Sequence, residues 1–194
     1  MLTMNLHLGK QAVLRKVVVV SIALILIAAI AGSEQPRSAI TADNVQTQVF
    51  FSPRGGCTEA VVTAVANART SLHVQAYSFS SYPIVKAIIA AQTRGVRVEV
   101  ILDKSQRTEK YSALAALLTA QVPTWIDAAH QIAHNKVMII DGDTVITGSF
   151  NFTRSAEYHN AENLLVVRDQ TLAARYEANF QGHLRHSLPG AAPQ

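Results

Sequence analysis

The chain has 194 residues, 49% of them hydrophobic and 15% charged, with a formal charge of +4 and a single cysteine. High apolar and low charged content excludes a disordered chain, and 9 Gly with 6 Pro exclude collagen-like and Pro/Gly-rich classes. Cys57 has no partner in its own chain, which excludes a disulfide framework, and the length fits one domain with a real core.

Residues 1–31 carry Lys10, Arg15 and Lys16 and no acid, and then run uncharged from Val17 to Ala31. A helix of that run spans about 22 Å, short of the ~30 Å hydrocarbon core. A basic flank, a short apolar stretch and Ala29-Ile30-Ala31 before Gly32 together predict a secretory signal peptide. The alternative is an uncleaved membrane anchor, and either places the working domain outside the cytoplasm. Three of the 17 basic residues and none of the 13 acidic ones lie in this segment, so the mature chain carries only +1. Net basicity therefore gives no argument for nucleic acid.

Residues 32–44, with Pro36, read as a linker, residues 45–188 as the working domain and 189–194 as a tail. The elements expected in order are a strand at Gln46–Phe51, a turn at Ser52–Gly56, a helix at Thr58–Ala68 and a strand at Ser71–Phe79. A helix follows from Pro83 to Arg94, closed by Gly95, then a strand at Val96–Asp103, a helix at Lys110–Ala120 and a short strand at Pro123–Asp127. Asn135–Asp141 and Thr144–Gly148 form a hairpin, Asn163–Val167 a further strand, and Gln170–His186 a closing amphipathic helix. Strands alternating with helices predict an α/β layered fold with a mixed, mostly buried sheet between helices.

The chemistry concentrates at the hairpin. Residues two apart in a strand share a face, so His134 goes with Lys136 and Ser149 with Asn151. Asp141-Gly142 and Gly142-Asp143 both suit a two-residue turn, which would bring all four side chains to one face; a three-residue turn would separate the pairs. Imidazole, ammonium, hydroxyl and amide on one face suit a phosphate, with Gly148 allowing close backbone approach.

His134-x-Lys136, four residues, Asp141, six residues, then Gly148-Ser149 resembles the HxK(x)4D(x)6GS motif of the phospholipase D superfamily. Gly55–Glu59, Gln75–Phe79, Phe150–Thr153 and Asn160–Asn163 add to the likeness, which is to the short secreted endonucleases of the Nuc type. The resemblance covers roughly residues 45–186 and implies the superfamily's α-β-α sandwich. It also implies two such motifs per active site, while this chain has one, so a homodimer with a shared site is expected.

The implied reaction starts with attack of one His134 on phosphorus, giving a phosphohistidine. The second His134 protonates the leaving oxygen and then activates water, while Lys136 and Asn151 hold the non-bridging oxygens. The resemblance gives Glu162 the role of orienting a histidine and calls for no cofactor and no metal. A pair of coupled histidines predicts a bell-shaped pH–rate profile.

Other readings stay open beside this one. Asp141, at the turn, is read as structural support. His130 and His134, spaced i, i+4, would suit a metal only on a helix, and the following run reads as strand. Cys57 is either a thiol activated at a helix start or a packing residue. His159, His183 and His186 are read as surface residues. The expected substrate is DNA, with RNA as a further candidate; a phospholipid headgroup, or a catalytically silent nucleic-acid-binding module, are the alternatives.

Overall fold

The computed structural model describes residues 45–190. The expected signal peptide, the linker through Asn44 and the last four residues of the expected tail lie outside the described residues. Eight strands form one mixed sheet: β1 (Gln46–Ser52), β2 (Ser71–Ala76), β3 (Arg97–Asp103), β4 (Thr124–Asp127), β5 (Lys136–Ile140), β6 (Thr144–Gly148), β7 (Glu162–Arg168) and β8 (Leu188–Pro189). Among the described residues five helices accompany them: α1 (Cys57–Ala66), α2 (Tyr82–Thr93), α3 (Leu114–Thr119), α4 (Arg154–Tyr158) and α5 (Gln170–Leu184), with a 3₁₀ turn at Lys104–Arg107.

The order across the sheet is β1-β7-β6-β5-β2-β3-β4-β8. β2, β3 and β4 are parallel, joined by crossovers through α2 and α3, and the remaining pairs are antiparallel. Period-two alternation divides the core between two faces. Leu72, Val74, Val100, Leu102, Met138 and Ile146 pack in the larger cluster with α1, α2 and α3. Ile101, Val137, Ile139 and Val145 pack on the other face against Ala173 and Phe180 of α5. A strand covered on both sides has no solvent face, which is why every residue of β5 is buried. This is the layered α/β fold expected from the sequence.

Several details differ from expectation. The Lys110–Ala120 helix shrinks to Leu114–Thr119, because Ser112 Oγ accepts the Leu114 N–H and the Ala113 N–H donates to Phe79 O. The chain also stays on the sheet two residues past 188: Pro189 pairs with Trp125, and the buried Gly190 donates its N–H to Thr124 O.

The consequential difference is the hairpin turn. Ile140 pairs with Thr144, leaving Asp141, Gly142 and Asp143 as a three-residue connection. Asp143 is held in it from outside, its carbonyl accepting the Asp169 N–H and its carboxylate meeting Arg168. Even-numbered residues therefore face even-numbered ones, and Lys136 shares a face with Gly148 rather than with Ser149 and Asn151. The expectation that strand parity gathers all four polar side chains is corrected.

Candidate active site

The sheet register carries the candidate residues to one end of the sheet. Ala76 pairs with Lys136, Gly148 with Leu164, and Ser52 with Glu162, so the ends of β2, β6 and β1 and the starts of β5 and β7 meet there. Parallel strands β3 and β4 finish at the same end, Asp103 opposite Asp127. Ligand sites in open α/β sheets lie outside the carboxyl ends of the parallel strands.

Lys136 opens β5 and is buried, 6% exposed. Its Nζ donates to His134 O at 2.8 Å and lies 5.0 Å from the centre of the Tyr77 ring. An ammonium has three N–H groups, so two remain beyond that bond. Burial pushes the Lys136 pKa below the usual lysine range, and the Glu162 carboxylate pulls partly the other way. A desolvated cation with free donors has a strong reason to take an anion.

His134 precedes the strand on the loop 128–135 and is exposed, its ring centre 4.5 Å from that of Tyr77 at 55°. The backbone locks this arrangement, since the Tyr77 N–H donates to Asn135 O at 2.8 Å. Tyr77 was noted only as part of a resembling segment; here it is the surface against which both His134 and Lys136 rest.

Ser149 and Asn151 reach this end of the sheet by another route than parity. β6 stops at Gly148, whose φ of +148° turns the chain out of the ladder. A Cβ at Gly148 would lie 2.3 Å from Asn163 O, so the close backbone approach is to β7. Beyond it Ser149 Oγ accepts from the Asn163 N–H (3.1 Å) and from Asn163 Nδ2 (3.3 Å). Phe150 and Phe152 are fully buried and anchor the segment, and between them the Asn151 Oδ1 is buried without a hydrogen-bond partner among the described residues.

Glu162 starts β7. Its carboxylate accepts from Asn160 Nδ2 at 3.0 Å, and its N–H donates to Ser52 Oγ. Within the chain its hydrogen bond therefore goes to Asn160, while its charge is felt at Lys136.

Asp141 is placed apart. It follows the far end of β5, about 17 Å along the strand from Lys136. Its carboxylate accepts from the N–H groups of Arg69, Thr70 and Ser71 and from Thr70 Oγ1, at 2.7–3.2 Å. Burial raises its pKa, but these bonds outweigh burial and hold the carboxyl below the ordinary Asp value. That is a support role, tying the hairpin to the start of β2.

Cys57 is buried completely, and burial first, then the Glu157 charge, pushes its thiol up to about 11. The buried Glu157 accepts the N–H groups of Gly56 and Thr58 and so closes the start of α1. Cys57 is a packing residue. One other histidine is corrected: His183 is half-buried against the buried carboxylate of Asp127, while His186 is exposed as expected and turns with His130 onto the same carboxylate.

With the site described, its relatives can be set beside it. Residues 61–184 match the family described as cardiolipin synthase, PLD-like domain. The chain is 45% identical over 143 residues to a phospholipase D of Rickettsia prowazekii, covering 74% of this chain and 69% of that one. It is 32% identical to a mitochondrial cardiolipin hydrolase of Xenopus tropicalis, covering 59% and 54%. Among solved structures, the phospholipase D family member Nuc of Salmonella typhimurium superimposes with a TM-score of 0.73 at 36% identity, covering 75% of this chain and 98% of that one. An exposed histidine beside a buried lysine, on this sheet and with these relatives, makes the chain a phosphodiesterase of the phospholipase D superfamily.

Proposed function

We propose that the chain is an exported endonuclease that cleaves DNA, with RNA as a second substrate, through a phosphohistidine in a site shared by two copies. The observation that carries this is the pairing of exposed His134 with a buried Lys136 ammonium that keeps two unused N–H groups, one such set per chain. Likeness to Nuc over 98% of that chain favours a polynucleotide.

Each copy supplies one His134 and one Lys136. One His134 ring nitrogen attacks phosphorus, forming the P–N bond as the P–O bond to the leaving oxygen breaks. The other His134 delivers its proton to that oxygen, then takes a proton from water as the water oxygen attacks phosphorus and the P–N bond breaks. The two ammoniums hold the non-bridging oxygens throughout, which is the charge work divalent metals do in other phosphodiesterases. Glu162, which accepts from Asn160 within its own chain, is assigned in this reading to orient the histidine of the second copy. Exposed Phe51, next to Ser52, and exposed Ile132, two residues before His134, give this end of the sheet apolar surface for a second copy.

A second reading has its own support: relatives at 45% and 32% identity carry the names phospholipase D and mitochondrial cardiolipin hydrolase. Both substrates are phosphodiesters. Plasmid DNA and vesicles of phosphatidylcholine with cardiolipin, assayed side by side with His134→Ala as control, separate the two. The nuclease reading expects nicking that vanishes in His134→Ala, an acid-labile phosphate adduct on His134, and no lipid turnover. Lipid turnover without nicking reverses the assignment, and DNA binding without cleavage, unaffected by His134→Ala, points to a silent binding module. Export is tested separately, by N-terminal sequencing of protein from fractionated cells, with the mature chain expected to start near Gly32.

A further inference from the structure

The cluster around Asp127 belongs to no part of the mechanism above. Asp127 ends β4 with its carboxylate fully buried. Three imidazoles surround one of its oxygens: His183 Nδ1 at 2.7 Å, His130 Nδ1 at 3.0 Å and His186 Nε2 at 3.3 Å from Oδ2. One potential ligand atom from each of the four residues lies within 4.8 Å of all the others. The ring centres stand 4.9–5.3 Å apart with planes inclined by 38–66°, so the rings surround a common point rather than stack.

We infer that Asp127, His130, His183 and His186 form a structural site for a divalent transition ion, Zn²⁺ fitting best. Three imidazole nitrogens and one carboxylate oxygen make a borderline-soft, four-ligand set of the kind Zn²⁺ takes in tetrahedral geometry. The sequence spacing has the same character: Asp127-x2-His130 and His183-x2-His186 are two short-spaced pairs, one running from the end of β4 into the following loop and one on the last turn of α5 and just beyond. Tetrahedral Zn²⁺ with ligand bonds of ~2.0–2.1 Å sets its ligands about 3.3 Å apart. The ligand atoms, up to 4.8 Å apart, must draw in while the 2.7 Å contact of His183 with Asp127 opens, and His130 and His186, with side chains 47% and 36% exposed, have room to turn. A dication would also set an opposite charge against the buried Asp127 carboxylate, leaving the site at +1 on a side open to solvent through His130 and His186.

The place of the site gives it a task. His130 lies four residues before His134 on the loop 128–135, which has no regular structure of its own. That loop is held by the Ala133 N–H on Asp103 Oδ2 (2.8 Å) and by Lys104 Nζ on His130 O (2.9 Å). An ion at Asp127 would fasten the same loop to the end of α5 and so position the nucleophile from a distance, taking no part in its chemistry.

The test uses purified protein stripped with a chelator, dialysed, and titrated with Zn²⁺ or Co²⁺ alone. One Zn²⁺ per chain should bind, Co²⁺ should give the intense visible bands of a four-coordinate ion, and Zn²⁺ should raise the melting temperature. His183→Ala should lose affinity by more than the 10–100-fold typical of outer-shell changes, and His186→Gln serves if His183→Ala does not fold. His134→Ala should bind Zn²⁺ as the wild type does. Substoichiometric binding, or binding that survives His183→Ala and His186→Gln but is lost in His134→Ala, overturns the inference. The first leaves a hydrogen-bonded cluster, and the second places the ion on the catalytic histidines.

Discussion

Replacing Gly148 by alanine tests whether the turn out of β6 builds the Ser149–Asn151 side of the site. At φ +148° a side chain is strained in itself, by about 1–3 kcal/mol. The new Cβ would also sit 2.3 Å from Asn163 O and 2.9 Å from Asn163 Oδ1, so β6 and β7 must part by about 1 Å to restore ordinary contact. That parting stretches the Phe150 N–H bond to Asn163 O (3.2 Å) and the Asn163 N–H bond to Ser149 Oγ (3.1 Å), each worth about 1 kcal/mol. Together these predict a loss of about 3–5 kcal/mol, or roughly 10 °C in melting temperature for a domain of this size. Gly142→Ala is the matched control: its φ is +70°, but nothing lies within 4 Å of the added Cβ, so only about 1 kcal/mol is expected. Urea unfolding of both variants, followed by circular dichroism, reads the difference as a shift in midpoint at unchanged slope. Equal shifts in the two variants would refute the argument, because strain alone would then account for everything and the contact with β7 for nothing.

Lys136→Met keeps an unbranched side chain one atom shorter and removes its charge; turnover should fall about 10²–10³-fold while the melting temperature holds or rises, since a buried ammonium is replaced by an apolar group. A lower melting temperature with turnover retained would make Lys136 a packing residue. For Asp141 the folded pKa lies below the ordinary 3.8, so its contribution is present above about pH 4 and is lost as pH falls through the folded value. Asp141→Asn should therefore lower stability at pH 7 and flatten its decline in acid, measured by urea midpoints from pH 7 to 2. Cys57, buried with its thiol raised to about 11, should resist a thiol reagent at pH 8 in the native protein and react fully in denaturant.

The strands and the juxtaposition of His134 with Lys136 were legible because period-two patterning and a spaced motif are local in sequence. Lys136 and His134 needed nothing beyond their own segment and a resemblance. The hairpin register was not legible: both Asp-Gly and Gly-Asp favour a tight turn, and what selects three residues is Asp143 held by Arg168 and the Asp169 N–H, some 25 residues on. α4 escaped because five residues carry no helical period; its one local mark is Thr153, whose Oγ1 accepts the Ala156 N–H. The half-buried place of His183 was not legible because its partner Asp127 is 56 residues away and becomes a partner only when α5 packs on the sheet. The x2 spacing in both pairs was the available clue.

One consequence of the strand directions concerns what precedes Gln46. β1 runs toward the active end, finishing at Ser52 beside Glu162, so Gln46 opposite Arg168 lies at the other end of the sheet, about 20 Å away. The described chain therefore enters the sheet at the end remote from His134, and a tag or surface tether joined at Val45 would stand about 20 Å from the candidate site, leaving that end open to a long substrate or a second copy.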